Sequence, residues 1–133
     1  MTTRSMIGDA TQMLARLLTS VIFVTSGIAK IRAWDANIAY IATRSVPFKP
    51  ALLAVALCIE LGGAACLLTG FRTKIAAWTM FFYMVFVTVK FHRFGSVDYQ
   101  KNLGIMGSLL MLAVCGAGGW ALDSVFRKKE KQQ

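Results

Sequence analysis

Glu60 is the only charged residue between Lys49 and Arg72, in a run that is apolar and long enough to cross a bilayer. An ionised carboxylate that faces lipid at the centre of a membrane costs at least ~2.5–3.5 kcal/mol. We therefore expect Glu60 to face protein, water or a ligand, and to be either protonated or paired. Gly63 and Ala64 share its helical face and leave space for a neighbour. A purely structural role in helix packing is the alternative interpretation.

Other polar residues are predicted to surround the same space. If consecutive helices alternate in direction, Tyr83 and Ser20 reach nearly the depth of Glu60. Five residues are predicted at the outer mouth: Lys30, Lys90, His92, Lys101 and Asn102. Lys30 lies about 13 Å from Glu60 along the helix axis, so we expect water or a ligand between them rather than a direct salt bridge.

This arrangement would suit a quinone or another amphipathic molecule. Its carbonyl oxygens would be held by Lys30, His92 or Asn102, and its ring would lie beside Tyr83 or Phe86. Two simpler interpretations stay open. In these interpretations Lys30 only anchors to lipid head groups, and His92 is an interfacial residue without a role in proton transfer.

Cysteine and histidine usage argues against metal or disulfide chemistry. Cys58 and Cys66 are roughly 12 Å apart along one helix, which is too far for a disulfide. Cys115 also lies inside an apolar run, and no Cys-x-x-Cys pair occurs. His92 is the only histidine, which excludes two-histidine haem ligation within one chain. We predict no metal site and no covalently bound cofactor, and the sequence assigns no catalytic residue.

Composition places the chain in a membrane. Of its 133 residues, 56% are hydrophobic, which is more apolar than a typical soluble domain. The net charge is +9, and the basic residues sit at the ends of apolar runs, where they meet anionic lipid head groups. Basic and aromatic residues are not interleaved as in proteins that grip single strands, so we expect no nucleic-acid partner.

Four charge-poor runs predict four transmembrane helices, over approximately 11–31, 51–69, 75–91 and 102–122. The predicted fold is all-α: an integral membrane four-helix bundle with up-down topology, forming a single domain over 1–133 with a basic tail at 127–133. A cleaved signal peptide is the rival interpretation of the first run, although its cleavage pattern is poor. A short surface helix is expected over 35–43, and a tight turn over 69–74.

Charge also bears on orientation. The two sides of the predicted bundle carry nearly equal numbers of Lys and Arg, with Arg16 counted on the side of the termini. The dense basic tail and the basic turn around Arg72 and Lys74 favour that side as cytoplasmic. We therefore expect a multi-pass protein of the bacterial inner membrane with both termini in the cytoplasm.

An ordered set of short motifs resembles the DoxX family of small bacterial and archaeal membrane proteins, and within it the YqjF-like branch. The set extends over roughly 14–126. Its members, in order, are Gly27-Ile28-Ala29-Lys30-Ile31, Glu60-x-Gly62-Gly63, Gly70-Phe71-x-Thr73, Phe91-His92, Gln100-Lys101-Asn102-Leu103, Gly116-x-Gly118 and Asp123. The resemblance implies a four-helix membrane bundle. No established set of catalytic residues comes with it.

Two classes of function stay open under this resemblance. The family takes its name from a subunit of an archaeal thiosulfate:quinone oxidoreductase, and other members are linked to redox-stress complexes. This implies a quinone-linked oxidoreductase subunit that acts with a membrane or peripheral partner. Distant relatives act as assembly factors, which implies a non-enzymatic membrane protein that binds a lipophilic ligand or a partner protein. Homo-oligomers are compatible with either class.

Overall fold

The computed structural model describes residues 2–132, and over that range its regular structure is entirely helical. Six helices follow one another: α1 Thr3–Arg32, α2 Trp34–Ala42, α3 Lys49–Thr69, α4 Thr73–Phe91, α5 Val97–Cys115 and α6 Leu122–Glu130. The predicted all-α class is confirmed. The surface helix expected over 35–43 corresponds to α2, and the basic tail is helical as far as the end of α6.

Three helices of the described chain, α1, α3 and α4, are long and apolar enough to cross a membrane. The fourth predicted transmembrane helix, over 102–122, corresponds to α5, which both begins and ends earlier than predicted. It begins after Ser96, whose hydroxyl accepts a hydrogen bond from a backbone N–H of the first turn at 3.1 Å. It ends at Gly116, whose φ of 80° stops the helix.

The tight turn between α3 and α4 is confirmed and has a local cause. Gly70 follows α3 with a φ of 72°, a left-handed conformation that glycine adopts without steric cost. Its N–H donates to the carbonyl of Cys66 and closes the helix. At the other end of α3, Pro50 lies in the first turn, where its missing N–H has no partner to lose.

Four helices contribute to one buried core. Its members are Phe23 of α1, Ala64 and Leu67 of α3, Ala77, Met80 and Met84 of α4, and Leu109, Leu112 and Ala113 of α5. Both α1 and α4 contact α3 and α5, so the four helices enclose this core, while α2 packs mainly against α3. The up-down topology of a membrane bundle stays a prediction.

α1 and α3 approach closely and run antiparallel. Arg16, in the first half of α1, contacts Leu67 near the end of α3, whereas Lys30 at the end of α1 contacts Glu60. Gly27 permits the approach, because a Cβ at that position would lie 2.6 Å from Leu61 Cδ2. This pairing places the contacts of Arg16 and Lys30 with α3 at separate levels of the helix pair.

Candidate functional site

Glu60 is buried and directly paired with Lys30. Its residue exposure is 4%, and Lys30 Nζ lies 2.9 Å from Glu60 Oε1 and 3.1 Å from Oε2. The expectation that the two residues would be too far apart for a salt bridge is therefore wrong. The separation of about 13 Å along the helix axis neglects the length and direction of the two side chains. Side chains lean toward the N-terminus of their own helix, and in two antiparallel helices these two lean toward each other.

Two hydroxyl groups complete the cluster around this ion pair. Tyr83 Oη donates to Glu60 Oε1 at 2.6 Å, in agreement with the predicted depth of the tyrosine. Lys30 Nζ also donates to Ser26 Oγ at 2.6 Å. Ser20, which was expected near Glu60, instead donates to a backbone carbonyl of its own helix. Ser26 could have been found from the sequence, because it precedes Lys30 by four residues on the same helical face.

Two cavities flank the cluster. The apolar cavity, of about 480 Å³, is bounded by α2, α3 and α4, with Lys30 of α1 also in its lining. Most of its walls are apolar side chains such as Leu53, Ile59 and Phe86. The polar cavity, of about 460 Å³, opens between α1, α4 and α5. Glu60 lines the polar cavity and Tyr83 lines the apolar cavity, so the hydrogen bond between them lies where the two spaces meet.

Two of the predicted mouth residues, His92 at the end of α4 and Asn102 of α5, border these cavities. His92 lines both cavities, and Asn102 lines the polar cavity. Asn102 is buried, and its Nδ2 lies 3.1 Å from Thr88 Oγ1, which ties α5 to α4. Neither residue hydrogen-bonds the Glu60 cluster in the described structure. All five candidate residues thus share one region, and their role in holding a ligand stays a prediction.

Lys30 does not fit the alternative of simple head-group anchoring, because its ammonium group is directed at Glu60 and Ser26. Lys101 is different: it is exposed at the rim of the polar cavity and donates to Asp98 Oδ1 at 2.9 Å. That hydrogen bond and its charge lower the pKa of the Asp98 carboxyl, which is exposed at the very start of α5.

Arg16 is the residue that sequence reasoning missed. It is 1% exposed, whereas from the sequence it had been counted only as one of the charges on the side of the termini. Its Nη1 donates to the carbonyl of Leu67 at 3.0 Å, and its Nη2 donates to the carbonyl of Trp120 at 2.6 Å. Leu67 lies in the last turn of α3, where carbonyls lack partners within the helix and carry partial negative charge, which suits a guanidinium. A single charge inside an apolar run was the available signal, as for Glu60.

Hydrogen bonds between carboxylate side chains and backbone N–H groups connect the segments around Arg16. Asp123 accepts hydrogen bonds from the N–H groups of Arg72 and Thr73, at 2.7 and 2.9 Å, and so caps the start of α4. Asp9 accepts from the N–H of Gly119 at 2.7 Å. These bonds join α1 to the segment before α6, and α6 to the α3–α4 turn, which indicates a structural role for this end.

The described residues, 2–132, contain no group of three or more His, Cys, Asp or Glu side chains placed to hold a metal ion. Cys58 and Cys115 are exposed on the outer surface of the helices, and Cys66 is half-buried. The two cavities together present a carboxylate, an ammonium, a phenol and an imidazole beside an apolar wall.

Comparison with known proteins agrees with the motifs. The DoxX family model matches residues 11–93, which include Lys30, Glu60, Tyr83 and His92. The chain is 29% identical over 126 residues to the inner membrane protein YqjF of Escherichia coli (strain K12), covering 91% of this chain and 95% of that protein. It is 26% identical over 121 residues to the inner membrane protein YphA of the same organism, covering 84% and 86%. No solved structure matches significantly. The family match extends over more than half of the chain, which therefore belongs to the DoxX family as an integral membrane protein.

Proposed function

We propose that this protein binds a lipophilic ligand in the apolar cavity and serves as the ligand-binding subunit of a quinone-linked oxidoreductase. The observation that carries the proposal is the position of the Lys30–Glu60–Tyr83 cluster at the inner end of an apolar space of about 480 Å³. Cavities of that size, with apolar walls and a few polar groups, are typical of small-molecule sites.

The proposed setting is a four-helix up-down bundle in the bacterial inner membrane. Two relatives are named as inner membrane proteins, and α5 shares a core with the three helices that are long and apolar enough to span. Both termini are placed in the cytoplasm, together with the Arg16 end. The Glu60 end and its cavities then lie toward the outer face of the membrane.

A quinone is the first candidate ligand. Its ring would lie beside Phe86 and Tyr83, and its apolar tail would follow the aliphatic wall formed by residues such as Leu53 and Ile59. Electrons would come from a partner protein, either in the membrane or bound to its surface. The polar cavity, which reaches the rim at Lys101, gives the cluster a second face away from the ligand.

Ligand binding without redox turnover is the second candidate, as in a protein that stores a lipid or assists the assembly of other membrane proteins. The geometry of Lys30 favours it. Its ammonium group already donates to Glu60 and Ser26, so the cluster is paired without a ligand. Such a cluster can hold a bound ligand in place without exchanging protons with it.

Analysis of co-purified small molecules tests the proposal. The wild type, Glu60→Gln and the matched control Glu130→Gln, which alters an exposed carboxylate of α6, would be purified from membranes and extracted for mass spectrometry. We expect a lipophilic molecule with the wild type and the control. Glu60→Gln should retain about tenfold less, because a charge-assisted hydrogen-bond network is lost beside the site.

The outcomes separate the candidates. A quinone among the extracted molecules supports the oxidoreductase subunit, and a different lipophilic molecule supports binding without turnover. Equal retention by all three proteins contradicts the assignment of the site. If Glu60→Gln and Glu60→Leu both fail to accumulate in the membrane, Glu60 acts in helix packing instead.

A further inference from the structure

The hydrogen-bond donors at the inner end of the apolar cavity are already in use. A lysine ammonium has three protons. Lys30 directs its Nζ at three acceptors, namely Glu60 Oε1 at 2.9 Å, Glu60 Oε2 at 3.1 Å and Ser26 Oγ at 2.6 Å. Lys30 also lines the apolar cavity, but these three contacts match the three protons of its ammonium group.

Tyr83 is restricted in the same way. Paired with the Lys30 ammonium, Glu60 is a carboxylate, which only accepts hydrogen bonds. The single proton of Tyr83 therefore points at Glu60 Oε1, at 2.6 Å. The phenol can offer the cavity only a lone pair of its oxygen, so this end of the cavity presents an acceptor.

The groups that could still donate lie at the other end. His92 follows Tyr83 by nine residues, about 13 Å along α4 at the helical rise. Tyr40 lines the cavity near that rim, but its Oη donates to the carbonyl of Phe91 at 2.9 Å. Asn37, also on α2, donates from Nδ2 to its own helix turn at 2.8 Å. These rim groups do not serve a head group placed against Tyr83.

We infer that the molecule bound at the inner end of the apolar cavity carries a hydrogen-bond donor there, a hydroxyl group on an apolar body. This inference rests on the proposed function and specifies its ligand. A hydroquinone or a lipophilic alcohol donates to the free lone pair of Tyr83. A quinone carbonyl at the same place would be a buried acceptor without a donor, and desolvating an acceptor in that way weakens binding.

This assignment alters the sequence-based hypothesis in which Lys30 holds a carbonyl oxygen. The lysine instead fixes the carboxylate, the carboxylate orients the phenol, and the phenol meets the ligand. Lys30 and Glu60 are thus positioning residues for Tyr83. A site built to accept from a hydroxyl discriminates against analogues that lack it, because its acceptor is then left unpaired.

A set of matched probes tests the inference on the full-length protein in lipid nanodiscs, under anaerobic conditions. Decylhydroquinone is compared with its dimethyl ether and with the oxidised decylquinone, and dodecanol is compared with its methyl ether, by equilibrium dialysis. We expect each hydroxyl compound to bind about tenfold more tightly than its partners without a donor. Preference for the hydroquinone pair alone identifies a phenolic ligand, and preference in both pairs identifies hydroxyl compounds in general; either result supports the inference.

Tyr83→Phe provides the internal check. It keeps the ring in front of Glu60 but removes the acceptor, so the preference should fall to about one while the ethers bind as before. Tyr99→Phe is the matched control, because Tyr99 packs on Phe94 and lines neither cavity, and it should keep the preference. If the wild type binds quinone and ethers as tightly as the hydroxyl compounds, the inference is overturned and lipophilic binding stands. If no probe binds, both are overturned.

Discussion

The Arg16 end and the Glu60 end of the molecule each contain a charged residue that is alone in an apolar span, yet they use it differently. Arg16 donates to the backbone carbonyls of Leu67 and Trp120, in a region where turns and caps are joined by further bonds. Glu60 accepts from the side chains of Lys30 and Tyr83, in a region with a cavity on either side.

The kind of partner explains the difference. A backbone carbonyl moves only with its helix, so a guanidinium bound to it holds α1, α3 and the segment before α6 in register. A side-chain partner can change rotamer, and an adjacent cavity gives it room to do so. Buried charges bound to backbone therefore indicate a structural role here, whereas charges bound to side chains next to empty volume indicate a place where a ligand can act.

Arg16→Leu should have the largest effect on stability. It leaves the carbonyls of Leu67 and Trp120 without their donor, and each buried unsatisfied group costs about 1–3 kcal/mol. We expect a loss of about 3 kcal/mol or more in the free energy of unfolding, measured by titration with a denaturing detergent. Arg93→Leu, which removes the same charge from an exposed position, is the control. Equal stability of the two variants would contradict a structural role for the Arg16 end.

A double-mutant cycle on Lys30 and Glu60 should give a smaller effect. Lys30→Gln leaves the buried Glu60 without its counter-charge, and Glu60→Gln leaves the half-buried Lys30 without its own. The double variant removes both charges. We expect a coupling of about 1–3 kcal/mol between the two sites, which is typical of residues in one hydrogen-bonded network. The protein should still fold in all three variants.

The exposed pair of Lys101 and Asp98 is the matched comparison for that cycle. Their side chains are 56% and 60% exposed, so solvent screens the interaction and no coupling should be resolved. The lowered pKa of Asp98 means that its small contribution is present at neutral pH and is lost as the pH falls through that lowered value. Similar couplings for the buried and the exposed pair would remove the distinction drawn for the Glu60 cluster.

Single cysteines introduced for labelling should have the smallest effect on the stability of the protein. They show which end of the molecule faces the cytoplasm. In a background without the native cysteines, Ser45→Cys and Lys131→Cys place exposed thiols at the two ends. A membrane-impermeant maleimide should label Ser45→Cys in intact spheroplasts and should label Lys131→Cys only after lysis. Labelling of Lys131→Cys from outside would reverse the proposed orientation.

Much of the fold could be predicted from the sequence because its signals are local. Apolar runs predicted α1, α3 and α4, Gly70 predicted the turn between the last two, and the short helix α2 lay where it was expected. The end of α5 was missed because the chain that follows it stays uncharged from Gly116 to Leu122. Hydropathy therefore did not register that the backbone changes direction at Gly116. Hydropathy measures burial in lipid and does not report φ.

For the candidate site, the sequence indicated Glu60, Lys30 and Tyr83, but Ser26 was missed and the direct contact between Lys30 and Glu60 was not expected. Glu60 was singled out because a lone carboxylate in an apolar run must be compensated, and that requirement follows from solvation alone. Which group compensates it depends on helix direction and rotation. Lys30 and Tyr83 lie 30 and 23 positions away along the chain, and the tilt of side chains in antiparallel helices brings all three together.

By itself, the sequence determined that this protein consists of membrane-spanning helices with a charge inside two of them, because hydropathy and the cost of burying charge act on each segment separately. Only the tertiary structure decided that Arg16 is bound by backbone and Glu60 by side chains, and that empty volume lies beside Glu60. Those properties arise from how helix surfaces meet, and packing depends on pairs of segments that no single segment encodes.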